Sequence, residues 1–96
     1  MSNNPGDIEK QLVQLNGMVK DVLETNPGVA KIYSPIFDAI KEISKPEAFP
    51  GKQIAALHAV GVYDGDGGGL YYDFAQDNPS IASLLEEILA LLDPNN

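Results

Sequence analysis

The chain contains no cysteine and no arginine, and its only imidazole is His58. Without cysteine, disulfides, thiolate nucleophiles and cysteine-built zinc sites are all excluded. Without arginine, the bidentate contacts that read phosphate and guanine are missing. A single histidine cannot build a multi-histidine metal site. The five serines are Ser2, Ser34, Ser44, Ser80 and Ser83. Three of them, Ser34, Ser44 and Ser80, fall at expected helix ends, where a hydroxyl competes for backbone groups without doing chemistry. No nucleophile with a positioned base is evident. Glu86 and Glu87 are adjacent, so on a helix they diverge by about 100° and form no catalytic pair. These absences point away from an enzyme.

Cations are scarce as well. The six lysines are Lys10, Lys20, Lys31, Lys41, Lys45 and Lys52, so positive side chains stop at position 52. Beyond it stand Asp64, Asp66, Asp73, Asp77, Glu86, Glu87 and Asp93, and the formal net charge of the 96 residues is -8. Nucleic acid and anionic membrane surfaces need clustered basic residues, so neither is an expected partner. No apolar run reaches membrane-spanning length. The start, MSNNPGDIEKQ, lacks the basic and apolar regions of a secretory signal. The expectation is one small globular domain over residues 1–96, in the cytoplasm, with no cofactor.

What is present is mostly helical punctuation and periodicity. Ile8, Leu12, Leu15, Val19 and Val22 recur in steps of four and three, which lays them on one stripe of a helix opening near Pro5. Pro27-Gly28 ends it. Residues 28–44 carry the stripe Ile36, Ile40 and Ile43, with Pro35 inside the segment. Two readings fit: a short turn over residues 29–33 followed by a helix from Ser34-Pro35, or one kinked helix. Residues 46–51 form a connector with two prolines, from which Phe49 is expected to pack onto the core. The last helix starts at Asp77 or Asn78 with Pro79 in its first turn. It carries Ile81, Leu84, Leu85, Ile88, Leu91 and Leu92, and ends at Asp93-Pro94. Leu89 sits at the edge of that apolar face, where partial exposure would offer a patch to a second copy.

Between these helices the pattern is ambiguous. Residues 53–59 suit a helix, whereas Val60, Val62 and Tyr63 favour a strand. Beyond the glycines, Leu70, Tyr72 and Phe74 alternate with Tyr71 and Asp73. Period-two patterns flanking a turn-rich run read as a hairpin with its loop at 64–69. The expected fold is therefore mainly α, in an α+β arrangement: three or four helices with one glycine-looped β-hairpin packed on them. An all-α bundle with a long glycine loop is the alternative.

The loop carries the remaining functional readings. DGDGGG lacks the following Lys and Ser/Thr of a phosphate-binding loop, and its aspartates repel anions. It partly matches an EF-hand calcium loop, with Asp64 first, Asp66 third and Gly69 sixth. The fifth position is Gly68, and the twelfth is Ala75 where a bidentate Glu is required. Asp64, Asp66 and Asp73 are the ligands of a weak calcium site on this reading. Tyr63, Tyr71 and Tyr72 flank the loop, and tyrosines beside glycine suit a protein-binding surface. The expected function is a small acidic protein-interaction or regulatory module, self-associating or bound to another protein through Tyr63, Tyr71, Tyr72 and Leu89. Weak calcium binding and acidic mimicry of nucleic acid toward a basic protein are the alternatives.

Overall fold

Proline placement divides the chain into its elements. The computed structural model describes residues 5–62 and 69–93. Among them are six helices and no strand: α1 (Pro5–Thr25), α2 (Val29–Ile32), α3 (Ser34–Ile43), α4 (Pro50–Ala59), α5 (Gly69–Asp77) and α6 (Pro79–Leu92). α3, α4 and α6 each carry proline at the first or second helical position, where its missing N–H is no loss. The all-α alternative is the architecture observed.

The expected stripe of α1 faces inward. Leu15 is fully buried, and Leu12, Val19 and Val22 pack partly against the core. Pro35 has no N–H to donate to the carbonyl of residue 31, so the ladder breaks at Tyr33 and the two-piece reading of residues 28–44 is the one adopted. Tyr33 has φ −113° and ψ 33°, and its carbonyl accepts from Ile36 and Phe37 to start α3. Ser34 therefore lies inside α3 rather than capping it. Ile36, Ile40 and Ile43 are buried as their spacing requires.

The hairpin is not formed. Where the first strand was expected, α4 closes with a glycine cap. The N–H of Val62 donates to Leu57 O at 3.1 Å, and that of Gly61 to His58 O at 3.0 Å. Gly61 has φ +88°. These paired bonds are a Schellman motif, and buried Val62 and Leu57 supply its apolar contact. The valines are thus explained by helix termination rather than by a ladder. Where the second strand was expected, α5 is helical. Tyr71 and Phe74, three positions apart, point inward, whereas Tyr72 is 57 % exposed. Leu70, Tyr72 and Phe74 do not share a face.

Phe74 is the centre of the aromatic packing. Its ring meets Tyr33 edge-on at 5.2 Å and Phe37 edge-on at 5.8 Å, and lies 6.4 Å from Tyr71 in a stacked orientation. α6 packs on α1, α4 and α5, and buries Ile81, Ala82, Leu84, Leu85, Ile88 and Leu89. With neighbours on several sides, a helix needs apolar residues around most of its circumference. Leu89 is consequently 4 % exposed and offers no patch to a second copy. No helix among the described residues is long and apolar enough to cross a membrane.

Candidate functional site

Phe49 is the reverse of what was expected. The residue before a proline is driven to extended backbone, and Phe49, followed by Pro50, has φ −112° and ψ 160°. That geometry places it as the N-cap of α4 with its ring outside the bundle, 60 % exposed. The inward position goes instead to Gln53, one turn on. Gln53 is buried, and its Nε2 donates to Ile43 O at 2.8 Å. The bond satisfies a carbonyl from the last turn of α3 and ties the connector shut.

The chain neighbours of Phe49, Ala48 and Pro50, line a groove of about 480 Å³ at one end of the bundle. One wall is the start of α1, with Ile8, Glu9 and Leu12. The second is the α3–α4 connector, and the third is the end of α6, with Leu91 and Leu92. Gln53 and Ser44 also border it. Ser44 Oγ donates to Ile40 O at 2.7 Å and accepts from Asn16 Nδ2 at 2.9 Å, which commits its hydroxyl to structure. Pro46 and Pro50 stiffen the connector wall. The groove is thus walled mainly by hydrocarbon.

Its lining carries one acid, Glu9, and one cation, Lys45. Lys45 lines the groove, but its Nζ lies 3.1 Å from Glu42 Oε1, and Lys52 Nζ lies 3.2 Å from Glu42 Oε2. These two lysines hold the Glu42 carboxyl below its ordinary range. Glu9 lines the opposite wall with no ion pair among the described residues. α6 ends with no basic residue in its last turn. A second groove, of about 620 Å³, runs between α1 and α6 and is polar, bordered by Gln11, Gln14, Ser80, Ser83 and Glu87. Gln11 Nε2 donates to Glu87 Oε1 across this seam at 3.3 Å.

The residues expected to form an interaction surface are separated. Tyr71 is buried, and its hydroxyl donates to Glu86 Oε2 at 2.9 Å, with Ala82 O at 3.4 Å. Burial and the Glu86 carboxylate push its phenol well above the ordinary value. Leu89 is buried in α6. Helical rather than extended backbone accounts for Tyr71, and packing on several sides accounts for Leu89. Among the described ones, Tyr72 stands on the surface, and the 38 % exposed Leu70, two positions earlier, lies on another side of α5. Tyr63, Asp64 and Asp66 lie outside the described residues, so of the calcium ligands only Asp73, exposed on α5, is placed. No group of three or more His, Asp or Glu side chains that could hold a metal occurs among the described residues. Glu86 turns toward α5 and Glu87 toward α1, so an array of acids on one face does not include both.

Sequence reasoning put Phe49 on the wrong side and missed Gln53 and the groove it borders. The Phe-Pro dipeptide was the available signal, because it marks a residue thrown off the helical stripe. No protein-family model, curated protein or solved structure matches this chain.

Proposed function

We propose that this chain is a non-enzymatic protein-interaction module that docks a partner at the groove between α1, the α3–α4 connector and the end of α6. The observation that carries the reading is the exposed Phe49 ring flanked by Ala48 and Pro50, both of which line that apolar groove. A large aromatic beside a concave apolar surface is the composition of an interface anchor. The scarcity of reactive side chains in the sequence agrees with action by contact rather than by chemistry. Tyr72 on α5 is a second exposed aromatic, and it does not line the groove.

Paired surface variants test the reading. Phe49→Ser with Ala48→Lys disturbs the groove, and Tyr72→Ser disturbs α5. A partner captured by the parent chain and by Tyr72→Ser, but lost with the groove pair, supports docking at the groove. Equal capture by all three, with melting temperatures unchanged, refutes it. Sedimentation of the chain alone at rising concentration decides self-association.

A further inference from the structure

We propose that the occupant of the groove is a second copy of this chain, related by a two-fold axis that runs along the groove, so that the α1 wall of each copy meets the connector wall of the other. This rests on the reading of the groove as a docking site and names its occupant. The argument is charge complementarity. The lining carries one acid and one cation, and they stand on different walls, Glu9 on α1 and Lys45 on the connector. Glu9 is exposed and makes no ion pair among the described residues. On the connector side, Lys45 and Lys52 share the one carboxylate of Glu42, at 3.1 and 3.2 Å, which leaves that side with positive charge to spare. The groove is therefore dipolar, negative on one wall and positive on the other.

A dipolar face is complementary to itself. A half-turn about an axis between the two walls exchanges them, so Glu9 of one copy meets the partner's Lys45, and the same pair recurs across the axis. A half-turn about an axis crossing the groove sets acid on acid and cation on cation, which opposes docking. A segment charged with one sign throughout would match one wall and be repelled by the other. The lining as a whole has no net charge, on a chain whose formal net charge is -8, so two copies can meet here without setting like charge on like.

The rim agrees with this arrangement. Phe49 lies between the lining residues Ala48 and Pro50, and its exposed ring stands on the connector side. A Cβ at Gly51 would lie 3.6 Å from that ring, so the ring rests beside the first turn of α4. An isologous interface needs its anchor and its receiving surface on one patch. The half-turn that pairs the charges also sets Phe49 against the partner's α1 wall, where Ile8 and Leu12 line the groove. Two buried rings then supply the association, and the charge pairs fix its direction.

The full chain alone tests this, by sedimentation equilibrium and backbone amide NMR from micromolar to millimolar concentration. The parent is expected to pass from monomer to dimer, with the amides of residues 8–12, 45–53 and 91–92 moving as it does. Phe49→Ser is expected to weaken the dimer about tenfold. Glu9→Lys sets cation on cation and Lys45→Glu sets acid on acid, so each is expected to weaken its own dimer about fivefold while the dispersed spectrum of a folded chain is kept. An equimolar mixture of these two variants restores opposite charges in both pairs, and is expected to associate as tightly as the parent. No dependence on concentration overturns the second copy and leaves docking of a different partner intact, which capture by the Phe49→Ser, Ala48→Lys pair decides separately. Shifts confined to other helices, or a dimer that Phe49→Ser leaves unchanged, overturn it as well. A dimer at these residues with no gain on mixing overturns the arrangement of the two walls.

Discussion

The hydroxyl of Tyr33, at the break between α2 and α3, donates to Oδ2 of Asp77, the last residue of α5, at 2.6 Å. The bond spans 44 positions of sequence and joins elements that local pattern alone does not connect. An ionised phenol would face the Asp77 carboxylate directly. The lost hydrogen bond, burial and the charges of Asp77 and Asp73 together push the Tyr33 pKa up to about 12.

Stability at high pH follows from that shift. The unfolded chain releases the phenol proton near its ordinary value of 10.0, and the folded chain holds it to about 12. The stabilisation is therefore complete below pH 10 and is lost as pH rises through 12. Denaturation of the parent chain and of Tyr33→Phe at pH 9 and pH 11.5 checks this. The parent is expected to lose more stability between the two, and an identical loss would remove the claim.

Phe74 is fully buried among Tyr33, Phe37 and Tyr71. Truncation leaves a cavity lined by rings that cannot collapse into it. Phe74→Ala is expected to cost about 3–5 kcal/mol, a large share of the roughly 5–15 kcal/mol that holds a small domain folded. Urea titration with Phe74→Leu as the milder companion measures it. A cost below that of Phe74→Leu contradicts the packing described.

Gln53 holds the connector through Ile43 O. Gln53→Met keeps the side-chain volume but leaves that carbonyl without its amide partner, at an expected cost of about 1–3 kcal/mol. Amide exchange separates this from a general loosening. Protection is expected to fall around residues 43–53 and to hold in α5 and α6.

Two glycines are expected to respond in opposite directions. Gly61 has φ +88°, where a Cβ is strained, so Gly61→Ala should destabilise by about 1–2 kcal/mol. Gly17 lies inside α1 with open space around the position of a Cβ. Gly17→Ala should stabilise by about 0.5–1 kcal/mol by reducing the freedom of the unfolded chain and raising helix propensity. Thermal melts of both variants check the pair, and a common sign would contradict the geometry.

The amino-acid sequence by itself determined the features that adjacent residues decide. Proline at 27, 35, 50 and 79 punctuates the helices because a missing N–H acts within one turn. The stripes of α1, α3 and α6 are long enough that only the helical period fits them. The charge asymmetry between the two halves of the chain is also plain in the sequence. Tertiary structure decided the rest. Over the five residues from Leu70, alternation and helical spacing predict different faces, and Phe74 chooses between them through rings brought from α3 and the break before it. Val60-Gly61-Val62 resembles a strand until Leu57, buried beneath it, makes it a helix cap. Leu89 is buried because α1, α4 and α5 pack around α6, and where distant elements pack is not a property of a residue's neighbours in sequence.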